Sequence, residues 1–242
     1  MAATAKDVLE RVGILLQDED ATRWPLAERL MWLNDGQREI VLMKPNALSE
    51  TVALALAPGT LQRVPEGYLS LIGITRNLSG AAPSYEGGRV VRPVSRESLD
   101  ASMPDWHSAS ARRPIVRNFV YDAFDLTTFY IYPGNDGAGR VEAILSVKPL
   151  PITLASVSDP EDIASYALPL SVDDIYLNAL VDYVLYRANS KDSGDAGALT
   201  RAAAAYQQFA NGIGVKLQNE RSANPNRPNP TVGGTSAASM GA

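Results

Sequence analysis

His107, in the run Pro104-Asp105-Trp106-His107-Ser108, is the single imidazole of a 242-residue chain that contains no cysteine. A Ser/His/Asp triad needs that ring against a hydroxyl and steered by a carboxylate. No serine lies in a GxSxG setting, so His107 reads as a loop residue with a structural hydrogen bond. The absence of cysteine excludes thiolate zinc sites, cysteine nucleophiles and disulfides, and one histidine cannot form a cluster of ligands. Asp174, Asn178 and Asp182 recur at i, i+4 and i+8 on one helical stripe. Ligands for a hard cation must converge, whereas these spread over about 12 Å of helix axis. The stripe reads as solvated or subunit-facing. Asp18-Glu19-Asp20 reads as a hydrated loop or a weak ion site. Asn135-Asp136-Gly137-Ala138-Gly139 lacks the later ligating positions and the closing Glu of a calcium loop. Its glycines, with Gly134, fit neither a P-loop nor a dinucleotide fingerprint, so a flexible hairpin tip is expected. No carboxylate pair stands out as a glycosidase pair would. The expectation is no enzymatic activity, no cofactor and no metal.

Arg89, Arg92, Arg96, Arg112, Arg113 and Arg117 are the nearest approach to a basic patch, with Glu86, Glu97, Asp100 and Asp105 among them. Arginine's rigid donor fork is enriched at protein interfaces. A subunit or tail interface, ordinary solvated surface and DNA contact all remain open for these six. The whole chain carries a formal charge of −5. Non-specific nucleic-acid binding needs basic residues to displace counterions, and here the acids outnumber them. No run approaches the roughly 20 apolar residues that span a bilayer, and no basic region precedes an apolar run at the start. No membrane association is expected.

The elements that must position these residues divide the chain in four. Residues 1–50 read as a helical pair. Thr4 and Asp7 fit an N-terminal capping box, and Val8, Val12, Leu15 and Leu16 recur at helical spacing. Pro25 suits the first position of a second helix, whose stripe is Leu26, Leu30, Leu33, Gln37, Ile40 and Val41, closed by Pro45. Residues 51–170 change period. Runs at 51–56, 61–64, 69–75, 119–121, 128–132 and 141–147 are β-branched or aromatic and separated by turn residues. This is an inserted β-rich domain, expected to be antiparallel, with a short helical turn at 97–101 capped by Ser95. Residues 171–218 return to helix, with Ser171 and Asp174 as a second capping box and Tyr206, Phe209 and Ile213 facing inward. Trp24, Leu30, Leu33, Ile40, Ile175, Leu180, Val184, Tyr206 and Phe209 are expected to share one core. The fold class is α+β: a bundle of N- and C-terminal helices carrying an antiparallel insertion and an extended C-terminal tail.

Residues 219–242 are rich in Pro, Asn, Ser, Gly and Ala, with Val232 and Met240 as the only large aliphatic side chains. Such a segment cannot offset its own ordering entropy and is expected to order only on a partner.

Asp7-Val8-Leu9, Leu15-Leu16, Asp18-Glu19-Asp20 and the stretch RWPLAERLMWLNDGQREIVLMKPNA resemble the adaptor proteins of short-tailed bacteriophages, of the tail tubular protein A type. Arg23, Trp24, Pro25, Leu30, Trp32, Leu33, Asn34, Gly36, Gln37, Ile40 and Pro45 carry the likeness, with a second echo from Tyr176 to Tyr186 and at Tyr206 and Phe209. The resemblance implies a structural head-to-tail adaptor of the virion. It implies a dodecameric ring at the head-tail junction, between the portal protein and the tail nozzle protein, with double-stranded DNA passing through without specific binding. It implies no catalytic residues. It implies that the C-terminal arm reaches the portal, and Arg221, Asn224, Pro225, Asn226, Arg227, Pro228 and Asn229 are its candidate contacts. The alternatives are another minor tail or tail-completion protein, and a lysin-like hydrolase.

Overall fold

The computed structural model describes residues 3–108, 112–121, 125–192 and 197–223, the last stretch with side chains through residue 214. Thr4 opens helix α1 (Ala5–Leu16) through the predicted box: the Asp7 carboxylate accepts the Thr4 N–H at 2.7 Å, and the Thr4 hydroxyl accepts the Asp7 N–H at 3.4 Å. Val8, Leu9 and Val12 are buried, but Leu15, expected beside them, is exposed. The buried arc of α1 passes through Gly13 instead, where an added Cβ would lie 3.0 Å from Arg29 Nη1. Helix α2 (Leu26–Met43) begins one residue later than expected, with Pro25 as its cap, and buries the whole expected stripe from Leu26 to Val41.

Helices α4 (Leu177–Lys191) and α5 (Ala198–Ala223) close the bundle. Helix α5 runs to Ala223, past the end expected at 218. Trp24, Leu30, Leu33, Ile40, Leu180, Val184 and Phe209 lie in one cluster, with Tyr206 packed on its margin. Gly36 lets α2 press on α4, since a Cβ there would come within 3.0 Å of Tyr183 Cδ1 and 3.2 Å of Leu180 Cδ2. Ile175 is a correction, being 54% exposed. Residues Asp174–Tyr176 form a 3₁₀ turn that sends Tyr176 inward in its place. The second capping box is also corrected. Asp173 caps this turn, accepting the Ile175 N–H at 3.0 Å. Ser171 instead donates its hydroxyl to Leu150 O at 3.0 Å and its N–H to Gln37 Oε1 at 2.7 Å. Residues 152–170, read from sequence as part of the insertion, lay Ile152, Val157, Ile163, Tyr166, Leu168 and Leu170 against the helical core.

Among the described residues, eight strands build the insertion: β1 (Ser49–Ala55), β2 (Gly59–Arg63), β3 (Tyr68–Ala81), β4 (Ser84–Val90), β5 (Arg92–Pro93), β6 (Asn118–Tyr121), β7 (Thr128–Asn135) and β8 (Arg140–Val147). They form two four-stranded sheets, ordered β1-β8-β3-β4 and β2-β7-β6-β5. Leu71, Ile74, Val141, Ala143 and Leu145 of the first sheet meet Phe119, Phe129 and Ile131 of the second in a separate core. This is a sandwich, with alternate residues facing in. Its pairing is antiparallel except β5 with β6, which is parallel. That exception follows from the connection: residues 94–117, holding helix α3 (Arg96–Ser102), form a crossover long enough for parallel strands. Ser95 caps α3 as expected, accepting the Ser98 N–H at 3.2 Å. Leu99 of α3, with Trp106, covers the outer face of the second sheet at Val120, Tyr130 and Tyr132.

Residues 133–135 belong to β7, and the 136–139 link to β8 is not a hairpin. Strand β7 pairs with β2 and β6, whereas β8 pairs with β1 and β3, so the chain crosses between sheets there. Nor does it read as a flexible tip. Asn135 is fully buried, donates to Arg113 O at 3.1 Å and Pro114 O at 3.2 Å, and accepts the N–H groups of Gly137 and Gly139. Gly139 is required by that packing, because a Cβ would fall 2.1 Å from Asn135 Nδ2 and 2.4 Å from Pro114 O.

Candidate functional site

Of the six arginines, Arg89 lies on β4, Arg92 on β5 and Arg96 on α3, while Arg112, Arg113 and Arg117 precede β6. Strands β4 and β5 are the edges of their two sheets and are joined by one residue, Val91, which is buried in the sandwich core. That link brings the two edges to one side. Arg92 N–H bonds Arg117 O at 3.0 Å. Asn77 Nδ2 bonds both Arg89 O and Val116 O at 2.8 Å. Arg89, Arg92 and Arg117 therefore root within a few residues of one another. Arg113 is anchored nearby by its N–H to Gly134 O, and Arg112 precedes it. All five are exposed. Between them stand two large apolar side chains, Val90 at 56% and Ile115 at 53% exposure. Exposed aliphatic surface flanked by arginine is the composition of a protein contact centre. Arg96 is the exception. Its guanidinium lies over the Tyr130 ring at 4.6 Å, on the outer face of the second sheet.

Sequence reasoning grouped these arginines by spacing alone. It missed Val90 and Ile115, because strand β4 is exposed along almost its whole length and shows no alternation. It also missed that an edge strand with one free side offers unpaired backbone groups.

The remaining candidates take structural roles. His107 Nδ1 lies 2.9 Å from Thr60 Oγ1, and its ring stacks 3.5 Å from that of Trp106. Burial and the Arg96 charge hold the imidazole below its ordinary value, against an opposing pull from Asp100. Asp100 accepts the Trp106 indole N–H at 2.6 Å. Asp18 is more than a hydrated loop residue. Its carboxylate accepts N–H groups from Thr22, Arg23 and Trp24 at 2.8–3.1 Å and pairs with Arg29 Nη2 at 2.7 Å. Arg29 is 1% exposed, so this is a buried pair. Of the acidic stripe, Asn178 accepts from Arg11 Nη1 at 3.3 Å, and Asp182 is a half-buried carboxyl pushed up by desolvation. Among the described residues no group of three or more acidic or histidine side chains is placed to hold a metal ion. No described helix is long and apolar enough to cross a membrane. Of the C-terminal contacts, Arg221 lies on α5, while Asn224, Pro225, Asn226, Arg227, Pro228 and Asn229 lie outside the described residues.

The fold is thus a helical body bearing a β-sandwich whose edge exposes Val90 and Ile115 among arginines. Comparison with curated proteins gives no match. A family model does match, over residues 3–229, and the chain belongs to the family it describes, the SU10 adaptor proteins. It is accordingly a phage adaptor, a structural protein of the virion whose partners are other phage head and tail proteins.

Proposed function

We propose that the protein is the head-to-tail adaptor of its virion, assembling as a ring, expected to be dodecameric, that joins the portal protein to the tail nozzle protein. The observation that carries this reading is the extent of the family match, which runs through helical body and sandwich alike. The open edge at Val90 and Ile115, with its arginines, supports a tail-facing contact made by the sandwich. The net charge of −5 suits a channel that guides DNA by repulsion rather than gripping it. Residues 219–242 act in this reading as the arm that docks on the portal, through Arg221, Arg227 and the Asn-Pro repeats. Prolines lower the entropy lost on ordering, and the arginines supply charge-assisted bonds to partner carboxylates. Many copies of one weak arm on a ring gain through effective concentration.

Mixing the purified protein with portal particles and counting subunits by electron microscopy tests the assembly. A twelve-fold collar on the portal is expected, and absence of any collar contradicts the reading. Deleting residues 222–242 tests the arm. Portal co-sedimentation should fall at least ten-fold while circular dichroism and melting temperature hold. Equal attachment by the truncated chain would remove the docking role.

A further inference from the structure

The helical body carries two unlike faces that the chain leaves uncovered. The first is a groove between α1 and α4. Ile14 and Leu15 of α1, each 60% exposed, form one wall, and Val181 with Asp182 of α4 forms the other. Arg11 and Asn178, bonded to each other at 3.3 Å, close one end. Asp182 has no hydrogen bond or ion pair among the described residues, although its carboxyl is half withdrawn from water. A desolvated carboxylate with no partner costs stability, and at neutral pH a cation brought against it offsets that cost. The neighbouring apolar walls mean that this cation must come with aliphatic surface around it.

The second face has that composition. Met31, Arg38 and Leu42 lie on the outer stripe of α2, at i, i+7 and i+11. Beside it runs the strap that carries Leu150, 77% exposed, and it is held to α2 by Asn34, whose side chain exchanges two hydrogen bonds of 2.9 Å with Ile152. Among the described residues Arg38 is paired only with Asp35, at 2.9 Å, on an open surface where such a pair contributes little and is easily exchanged. One face is thus an apolar groove holding an unpaired acid. The other is an apolar ridge bearing a basic residue. Pairing either face with its own copy would set Asp182 against Asp182 or Arg38 against Arg38, so each face favours the other rather than itself. Made head to tail, ridge into groove, such a contact is heterologous, the kind that builds a ring where the rotation between neighbours closes.

We infer that these two faces meet between copies of this chain, the α2 ridge of one subunit entering the α1–α4 groove of the next, with Arg38 opposite Asp182 of its neighbour. The inference rests on the ring reading above and names the surfaces through which the ring is built.

Charge reversal tests it in the full chain, with self-association followed by mass photometry across micromolar concentrations. Wild type should assemble. Asp182→Arg and Arg38→Asp should each weaken assembly at least ten-fold, because each sets like charges across every contact. An equal mixture of the two variants should assemble again, since alternating copies restore an opposite pair at every junction. Circular dichroism of each variant confirms the fold, and Leu15→Glu gives a second, independent disruption of the groove. Variants that assemble as wild type does would overturn the assignment of faces and leave the ring intact. A wild type that remains monomeric throughout would overturn self-association through these faces without any portal, and the portal experiment would then judge the ring reading by itself.

Discussion

Replacing Asp18 with Ala removes the acceptor for three backbone N–H groups and the countercharge of a buried guanidinium in a single change. Arg29 is 1% exposed, and of its remaining contacts the 2.6 Å bond from Nη2 to the Asp18 carbonyl oxygen survives the substitution. Breaking a buried ion pair by deleting one partner costs about 3–5 kcal/mol, because the other charge stays desolvated. For a chain of this size each kcal/mol moves the melting temperature by about 2–4 °C, so a fall of about 6–20 °C is expected. Thermal unfolding followed at the helix band reads it directly, and urea titration checks that the transition stays cooperative. The double variant Asp18→Ala, Arg29→Met separates the two contributions. Removing the stranded charge should return part of the loss, and the part not returned belongs to the loop N–H groups. A loss below about 1 kcal/mol in the single variant would refute the argument, since an exposed pair behaves that way. So would a double variant less stable than the sum of its parts.

The same carboxylate makes stability depend on acid. Burial opposes its ionisation, but the Arg23 and Trp24 N–H groups and the Arg29 guanidinium outweigh it and hold its pKa below the ordinary value. Its contribution is therefore present above the unfolded-state pKa of about 3.9 and is lost as pH falls through the folded value. Urea midpoints between pH 6 and 3 should decline at the acid end for wild type and more shallowly for Asp18→Ala. Gly139→Ala should abolish the soluble sandwich, given a Cβ 2.1 Å from Asn135 Nδ2, and soluble yield on expression is the measure. His107→Ala should cost about 1 kcal/mol through its lost hydrogen bond to Thr60 and leave virion infectivity within about two-fold of wild type. A hundred-fold loss of infectivity with normal folding would give the imidazole a chemical role.

Where burial follows from one element's own periodicity, the sequence is a sufficient guide. The α2 stripe from Leu26 to Val41 is buried to the last member, and Phe119, Phe129 and Val141 point into the sandwich as alternation requires. Where burial depends on what arrives from elsewhere, it is not. Ile175 and Tyr176 are neighbours of similar apolarity, and only the 3₁₀ turn set by Asp173 decides which faces in. Asp18 and Asn135 look like polar turn residues because their donors come from backbone that only the folded chain brings near. Strand β4 has no inward partner to impose a period, so its pairing with β3 leaves no trace in residue type. The contact edge was half legible for the same reason. Its arginines show in the sequence, whereas the exposure of Val90 and Ile115 among them shows only in the fold.

The sandwich leaves and re-enters the helical body through two strands that lie side by side. Ser49, at the start of β1, is the register partner of Ser146, near the end of β8, and Leu48 O accepts the Val147 N–H at 2.9 Å. Partners across such a ladder are only about 4.5–5.5 Å apart, a gap that a two-residue turn bridges. The helical core on one side of that gap and the sandwich core on the other are built from separate sets of residues. The body is therefore a chassis with a two-strand socket. A replacement fitted at that socket keeps the path of the chain through the bundle, and it must supply an apolar group where Leu69 of β3 now packs on the helical core.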